Sequence, residues 1–218
     1  PTIIFIMTAI EIKNVSKKFK DKIVIDKVSL ELPTGQIHGL IGRNGSGKTV
    51  LMKMIVGFLK PDNGIINVFG NTIGKDTDFA KNIGVIIETP GFLPFESGFS
   101  NLKYLASIRG IISNEEIKSA ISSVGLNPDD KKHVGKYSLG MRQRLGLAQA
   151  IMENPDLLIL DEPMNGLDKD GVRDMRQYLL NLKEQGKTIL IASHSAEDID
   201  VLCDTVYEMD KGKLQKVR

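Results

Sequence analysis

The sequence predicts an α/β fold built around a mostly parallel sheet, and three observations carry this prediction. Short apolar segments alternate with helical segments over most of the chain, which is the pattern of strands joined by helices. A glycine-rich loop separates the apolar segment 36–41 from a helix that begins near Lys48. Leu157–Leu160 is an uninterrupted apolar run, which is typical of a strand buried on both faces of a parallel sheet.

The first elements of the chain are predicted to be strands. Segments 9–15 and 22–32 alternate Ile and Val with polar residues, so they predict an antiparallel β subdomain at the N-terminus. Pro61–Gly64 contains Asn-Gly and predicts a hairpin turn. The helix that begins near Lys48 carries apolar residues at helical spacing, namely Leu51, Met54, Ile55 and Phe58.

Residues 100–153 have a different character and predict a helical subdomain inserted between strands. Helices are predicted at 101–108, 115–124 and 141–153. Ser113 and Glu116 have the spacing of a capping box at the start of the second helix. The other predicted elements are a strand at 83–87, a helix at 169–184, a strand at 188–192, a helix at 196–202 and a strand near 205–208.

Length and composition restrict the possible functions. A chain of 218 residues is long enough for one compact domain with a sizeable core. The net charge of +2 gives no reason to expect direct binding of nucleic acid. The single cysteine, Cys203, excludes an internal disulfide, suits a reducing compartment and is interpreted as core filler. No apolar run approaches the roughly 20 residues that cross a bilayer, so any pore must come from another chain.

We expect one domain over residues 7–218. Within it, residues 7–88 and 155–218 form the β subdomain and the core, and residues 89–154 form the helical subdomain. Because Met7 resembles a natural start, residues 1–6 are expected to be a remnant that precedes it.

The glycine-rich loop has the pattern G-x-x-x-x-G-K-[ST] of a phosphate-binding P-loop. Glycines let successive backbone N–H groups point at one anion, and the following helix N-terminus adds a favourable partial charge. Lys48 is expected to contact the β- and γ-phosphates, and the Thr49 hydroxyl is expected to bind Mg²⁺. The predicted nucleotide-binding residues of this loop are Gly42, Arg43, Asn44, Gly45, Ser46, Gly47, Lys48 and Thr49. The fold class is therefore α/β, a P-loop NTPase core with a mostly parallel sheet, an N-terminal antiparallel β subdomain and an inserted α-helical subdomain.

Two carboxylates follow the buried strand Leu157–Leu160, at the strand end where open α/β sheets bind ligands. Asp161 suits Mg²⁺, and Glu162 suits a general base that polarises the attacking water. The alternative is a solvated acidic turn before Pro163. A kinase has little use for the second carboxylate, so Glu162 favours hydrolysis.

The segment Tyr137–Leu145 reads Y-S-L-G-M-R-Q-R-L and lies shortly before the acidic strand. It resembles the signature motif of ABC ATPases, usually L-S-G-G-Q. The P-loop, this signature, Leu157–Glu162, Asn165–Asp168 and His194 follow one another in the order of that family and cover nearly the whole chain. On this ordered set the chain is identified as a member of the ABC ATPases.

The resemblance implies a cycle of two subunits that bind ATP and Mg²⁺ between them. Ser138, Gly140 and Met141 would contact the nucleotide held by the opposite subunit of a homodimer. Asn165 and Asp168 would lie in the loop that crosses the dimer interface. ATP binding closes such a pair, and hydrolysis opens it.

Two further residues take roles from the resemblance. Phe19 matches the aromatic residue that stacks on adenine, although a hairpin-core position is the alternative. His194 matches the switch histidine that contacts the γ-phosphate and acts in catalysis with Glu162. The family also implies a transmembrane permease as partner, and hence a cytoplasmic subunit held at the inner face of the membrane.

The sequence departs from the family pattern in two places. Glu88 ends the strand at 83–87 where the family usually has glutamine, and it is expected to join Thr49 and Asp161 at the Mg²⁺ or to change coupling. The signature has Leu139 in place of one glycine and lacks the glutamine. Both departures resemble the ATPases of exporters that protect bacteria from lantibiotics and bacitracin-type peptides.

The segment Pro90–Ser100 carries four large apolar residues among glycines and prolines. We expect it to help form a groove for a coupling helix of the membrane subunit, and the alternative is a hinge packed on its own domain. Two other functions are the alternatives to a transporter ATPase. A soluble ABC ATPase acting on ribosomes or nucleic acid usually has tandem cassettes or a long insert, and a P-loop kinase does not explain the signature, Glu162 and His194 together.

Overall fold

The computed structural model describes residues 7–218, so the expectation for residues 1–6 lies outside the described residues. Within residues 7–218, ten strands form two sheets, and six α-helices pack around them. The strands are β1 Thr8–Phe19, β2 Lys22–Pro33, β3 Ile37–Ile41, β4 Asn63–Val68, β5 Asn71–Thr72, β6 Ile83–Ile86, β7 Leu157–Asp161, β8 Thr188–Ala192, β9 Thr205–Asp210 and β10 Lys213–Lys216. The helices are α1 Lys48–Val56, α2 Gly98–Arg109, α3 Asn114–Ser123, α4 Leu139–Ile151, α5 Lys169–Glu184 and α6 Ala196–Leu202, with a 3₁₀ turn at Val134–Lys136.

The two sheets have different topologies. The smaller sheet has the order β2-β1-β4-β5 and is antiparallel throughout. The larger sheet has the order β10-β9-β3-β8-β7-β6, in which only the β9–β10 pair is antiparallel. The predicted α/β class is confirmed, with its mostly parallel core sheet, antiparallel N-terminal β subdomain and inserted helical subdomain.

One strand shows how the sequence pattern produces this layering. Successive side chains of a strand point to opposite faces. Leu157 and Ile159 of β7 are buried in the core that includes the antiparallel sheet and α1. Leu158 and Leu160 are buried in the other core, which includes α2, α3 and α4. A continuous apolar run was therefore required, because neither face of β7 meets solvent.

The helical elements agree closely with the sequence. The helix over Lys169–Glu184 and the short helix over 196–202 have the predicted bounds. The capping box of α3 is present in both directions: the Ser113 hydroxyl accepts from the Glu116 N–H, and the Glu116 carboxylate accepts from the Ser113 N–H. Residues 89–154 contain α2, α3, the 3₁₀ turn and α4, whereas the proposed boundaries of the subdomains stay predictions.

Two local predictions were wrong. Pro61–Gly64 is not a hairpin turn, because Asn63 and Gly64 already belong to β4. The backbone of this segment is bound by β1: the Asp62 N–H donates to the Ser16 carbonyl at 2.9 Å, and Asn63 is paired with Ser16. Phe58 is not on the buried face of α1, since that helix ends at Val56 and Phe58 is exposed, in an edge-to-face contact with Phe79. Strands β4, β5 and β10 were not predicted at all.

Two buried polar groups serve the structure of the core. Cys203 is buried as predicted, and desolvation raises the pKa of its thiol to about 12, which keeps it protonated and unreactive. His38 on β3 is fully buried, with Nε2 2.9 Å from the Pro33 carbonyl and Nδ1 2.7 Å from the Thr205 hydroxyl.

No helix within residues 7–218 combines the length and the apolar character that crossing a membrane demands.

Candidate active site

The glycine-rich loop joins the carboxyl end of β3 to the first turn of α1. Gly42 has φ of +144°, and a Cβ there would lie 2.2 Å from the Met209 carbonyl oxygen. Glycine is therefore needed at this position both for its backbone conformation and for the close approach of β9. The loop brings the N–H groups at the start of α1 to the edge of the parallel sheet, where the helix dipole favours an anion.

Lys48 and Ser46 give the loop the chemistry of an anion site. The Lys48 side chain is buried, and its Nζ donates to the carbonyls of Gly42 at 2.6 Å and Arg43 at 3.2 Å. The ammonium group is therefore held inside the curve of the loop. The Ser46 hydroxyl is buried and has no hydrogen-bond partner within the part of the chain that the structure describes. A buried hydroxyl of this kind costs free energy unless a ligand pairs with it, so the loop fits a phosphate group.

Thr49 connects the loop to the acidic strand end. Its hydroxyl donates to Oδ2 of Asp161 at 2.7 Å, which joins the start of α1 to the end of β7. No group of three or more His, Cys, Asp or Glu side chains within residues 7–218 is arranged to hold a metal ion. Mg²⁺ commonly binds one or two carboxylates together with phosphates and water, so Thr49 and Asp161 fit this ion beside a nucleotide.

Glu162 lies one residue beyond Asp161 and contacts the end of β8. Its backbone has φ of +51°, and its N–H donates to the Ala192 carbonyl at 2.9 Å. Left-handed conformations of non-glycine residues cost energy and cluster at functional sites. The Glu162 carboxylate faces His194, whose Nδ1 lies 2.8 Å from Oε2. Strand ends of β7 and β8 thus bring together two residues that are distant in sequence.

Glu88 lies just beyond β6, on the same side of the sheet as Asp161. It too has a left-handed backbone, with φ of +61°. Its Oε1 is 2.6 Å from Nζ of Lys53, which lies on α1 one helical turn after Thr49. The sequence identified Glu88 but not its lysine partner.

A cavity of about 500 Å³ unites most of these groups. Lys48, Thr49, Glu88, Asp161 and Glu162 all line it. Asn165 lines this cavity and also a neighbouring one of about 910 Å³, which contains His194. The remaining lining residues are Val24, Asn44, Gly45, Gly47, Val50, Thr89, Pro90, Leu139, Arg142 and Gln143.

The signature residues lie at the start of α4. The Ser138 hydroxyl caps this helix by accepting from the Met141 N–H at 3.1 Å. Leu139 contacts the 165–168 loop of the same chain, since a Cβ on Gly166 would lie 2.4 Å from its Cγ. A Cβ on Gly140 would lie 3.0 Å from the Gly166 carbonyl oxygen, so the two segments approach closely.

Some predicted residues lie outside the cavity. Ser138, Gly140, Met141 and Asp168 are not among its lining residues. The Asp168 carboxylate instead caps α5 by accepting from the Gly171 N–H at 2.8 Å. Phe19, at the end of β1, is 44% exposed and does not line the cavity, and Lys17 lies over its ring at 5.6 Å.

Sequence reasoning missed several residues that contact the site. Gln143 is buried, and its side-chain amide donates to the Glu162 carbonyl at 3.4 Å. Val24 reaches the cavity from β2, which no motif indicates. Lys53 could have been found from its spacing, because residues i and i+4 of a helix share a face and Thr49 already belonged to the site.

Comparison with known proteins identifies a matching family model and several similar proteins. The family model described as "ABC transporter" matches residues 25–165. An uncharacterized ABC transporter ATP-binding protein of Bacillus subtilis, YybJ, is 46% identical over 94% of each chain. The bacitracin transport ATP-binding protein BcrA of Enterococcus faecalis is 43% identical, over 94% of this chain and 67% of its own. The lantibiotic transport ATP-binding protein SrtF of Streptococcus pyogenes is 36% identical, over 94% and 88%.

Solved structures share the fold. The dimeric post-hydrolysis state of the ATP-binding cassette MJ0796, bound to ADP and Pi, has a TM-score of 0.85 at 21% identity, over 96% of this chain and 99% of its own. The ADP conformation of MJ1267, an ATP-binding cassette of an ABC transporter, has a TM-score of 0.81 at 25% identity, over 96% and 90%.

Proposed function

We propose that this chain powers export of a peptide antibiotic or a similar hydrophobic cargo. The chain belongs to the ABC transporter family, as an ATP-binding subunit with ATPase activity. The observation that carries the enzymatic part is the single cavity that contains Lys48, Thr49, Asp161 and Glu162. The cargo class is supported by the names of the bacitracin and lantibiotic relatives at 36–43% identity. These relatives also favour a transporter over a soluble ABC ATPase of ribosomes or nucleic acid.

The proposed reaction is transfer of the γ-phosphoryl group of ATP to water. Glu162 accepts the proton of the attacking water, whose oxygen forms the new bond to the γ-phosphorus. The bond from the γ-phosphorus to the bridging oxygen breaks, and ADP leaves with that electron pair. Lys48 and the N–H groups of residues 42–49 hold the phosphates in place, so most of the catalysis is positioning and electrostatic stabilisation.

The geometry gives His194 a defined orientation in this proposal. An ionised carboxylate can only accept hydrogen bonds, so the 2.8 Å contact assigns the proton to Nδ1 of His194. This orients the ring against Glu162 and turns Nε2 away from that contact. We assign His194 to the γ-phosphate and Phe19 to the adenine, as the family resemblance implies.

Mg²⁺ would be held by Thr49 and Asp161, with Glu88 as a further carboxylate of the same cavity. This ion would neutralise part of the phosphate charge during transfer. The fit rests on the hydroxyl and carboxylate oxygens that line the cavity, which are the donor atoms that Mg²⁺ prefers.

The proposed working unit is a homodimer bound to a transmembrane permease at the inner face of the membrane. Ser138, Gly140 and Met141 would complete the nucleotide site of the opposite subunit, and Asn165 and Asp168 would lie at the interface. The exposed position of the Ser138 cap, outside its own cavity, supports this arrangement.

The segment Pro90–Ser100 is proposed to contact the permease. Asn101 holds it in shape: its side chain accepts from the Leu93 N–H at 2.7 Å and donates to the Leu93 carbonyl at 3.1 Å. Leu93 and Phe95 are nevertheless exposed, Phe95 by 82%. A fixed loop that presents apolar side chains to solvent is suited to a protein contact.

The test combines co-purification with cross-linking. The chain is expressed with a candidate permease, and Phe95→Cys is expected to cross-link to that permease. Val201→Cys on α6, also exposed, is the control and is expected not to cross-link. Native Cys203 does not interfere, because burial raises its pKa to about 12. Absence of a cross-link at Phe95 would favour the alternative of a hinge packed on its own domain. The cargo class is tested separately: deletion of the genes for this chain and its permease is expected to abolish resistance to the peptide.

A further inference from the structure

The ion pair between Lys53 and Glu88 links α1 to the loop that follows β6. The two charged atoms are 2.6 Å apart, and the side chains are 32% and 64% exposed. An exposed pair of this kind contributes little to stability and exchanges readily with other partners. Stability alone therefore gives no reason for the strained, left-handed backbone of Glu88.

The surroundings of Glu88 indicate what could compete with Lys53. Glu88 lines the same cavity as Asp161 and Glu162, so three acidic residues border one space. Thr49, whose hydroxyl binds Asp161, is on α1 one turn before Lys53. The Glu88 carboxylate contacts the Lys53 ammonium, and a divalent cation bound beside Thr49 and Asp161 would be a second positive partner near the same helix face.

We propose that Lys53 is a positioning residue that holds the Glu88 carboxylate against α1 and competes with the divalent cation for it. Glu88 has to leave Lys53 before it can join the cation that accompanies the nucleotide. Lys53 thereby sets the divalent-cation concentration at which this chain binds ATP. The inference rests on the proposed function of the cavity.

The experiment measures binding of a non-hydrolysable ATP analogue as a function of Mg²⁺ concentration, so that it does not depend on turnover. Lys53→Met frees Glu88 and is expected to lower the Mg²⁺ concentration for half-maximal binding about two- to fivefold. This factor corresponds to the free energy that an exposed ion pair contributes. In a chain that also carries Glu88→Gln, Lys53→Met is expected to change the Mg²⁺ concentration for half-maximal binding very little. Lys53→Arg, which keeps the charge, is expected to restore the original value.

The double-mutant design removes the other contributions of Lys53. Lys53 also lies in the last turn of α1, where the helix dipole favours a cation, but that effect is the same with Glu88 or Gln at position 88. Lys118→Met is the matched control, because it breaks another exposed pair, with Asp129 at 2.7 Å, on the helical subdomain. It is expected to leave the Mg²⁺ dependence unchanged.

The outcomes separate this inference from the function on which it rests. If the unsubstituted chain failed to bind the analogue with Mg²⁺, the proposed function itself would be wrong. If it bound, but Lys53→Met had equal effects in the Glu88 and Gln backgrounds or none in either, only the positioning role would be overturned. An equal effect would mean that Lys53 acts by its long-range charge alone.

Discussion

Oε2 of Glu162 lies 2.8 Å from Nδ1 of His194, although 32 residues separate them in sequence. The contact exists because β7 and β8 are neighbours in the sheet and end at the same edge. The backbone reinforces it, since the Glu162 N–H is bound to the Ala192 carbonyl. The carboxylate is therefore fixed by the sheet rather than by a flexible loop, which is what a general base requires.

Glu162→Gln should preserve nucleotide binding and slow hydrolysis by about 10²–10⁴. The amide is nearly isosteric, so the cavity is retained, but it cannot accept the proton of water. ATP should then accumulate in closed dimers, measurable by light scattering on a size-exclusion column. Glu184→Gln, an exposed change at the end of α5, is the control. Unchanged hydrolysis would exclude Glu162 from the role of base.

Lys48→Ala should weaken ATP binding about 10- to 150-fold, because hydrogen bonds to charged groups contribute about 1.5–3 kcal/mol. The substitution also removes the donor to the Gly42 and Arg43 carbonyls. Binding is measured by titration of a fluorescent ATP analogue. Lys60→Ala, at an exposed position, serves for comparison and should bind normally. Equal affinities for the two variants would contradict the phosphate role of Lys48.

The residues that the sequence predicted best are those whose chemistry is tied to a local pattern. Lys48, Thr49 and Asp161 each follow a strand or open a helix at a position where the motif fixes the backbone. The strand and helix bounds around them were also predictable, because β7 and β8 each contain an uninterrupted run of four apolar residues and α5 has a clear cap. Local pattern therefore predicted residues that lie together in one cavity, whose roles in binding and catalysis stay predictions.

The contacts that escaped prediction are set by the tertiary fold. Lys53 meets Glu88 across 35 residues, and Leu139 packs on Gly166 across two segments that only the fold brings together. The same effect overrode the turn signal of Asn63-Gly64, since pairing with β1 made this segment a strand. Edge strands such as β10 are short and polar and so carry little pattern of their own.

Arg176→Met should lower the free energy of unfolding by about 3–5 kcal/mol, since it leaves a buried carboxylate without its partner. Arg176 forms a close ion pair with Asp198, whose side chain is only 4% exposed. Arg173→Met is the matched control on the same helix: its pair with Asp170 is largely exposed and should cost less than about 1 kcal/mol. Denaturant unfolding monitored by circular dichroism measures both.

The same variant should also affect hydrolysis, for a geometric reason. The Ser193 hydroxyl donates to Asp198, and the Ser195 N–H donates to Ser193, so the turn that carries His194 depends on this carboxylate. We expect Arg176→Met to reduce turnover at temperatures where it is still folded, with ATP binding largely retained. Normal turnover would show that the His194 turn is held without Arg176.

His38 should make the stability of the protein depend on pH just below neutrality. Its Nε2 donates to the Pro33 carbonyl, and in the neutral ring Nδ1 accepts from the Thr205 hydroxyl. Burial lowers the pKa of His38 below its usual 6.5, an effect larger than the opposing influence of the Pro33 carbonyl. Between the lowered pKa and 6.5 the unfolded chain binds a proton that the folded chain does not, so the free energy of unfolding falls as the pH falls through this window.

The slope cannot exceed about 1.4 kcal/mol per pH unit for one proton, and His38→Gln should remove it. Glutamine can supply one donor and one acceptor but does not titrate. The free energy of unfolding is measured with denaturant at pH 7.5, 6.5 and 5.5. Subtracting the pH slope of the variant from that of the unsubstituted chain cancels the contributions of all other titrating groups. His133→Gln, at an exposed position, should retain the full slope. If His38→Gln kept the same pH dependence as the unsubstituted chain, His38 would bind a proton equally well in the folded and unfolded chain, and burial would not lower its pKa.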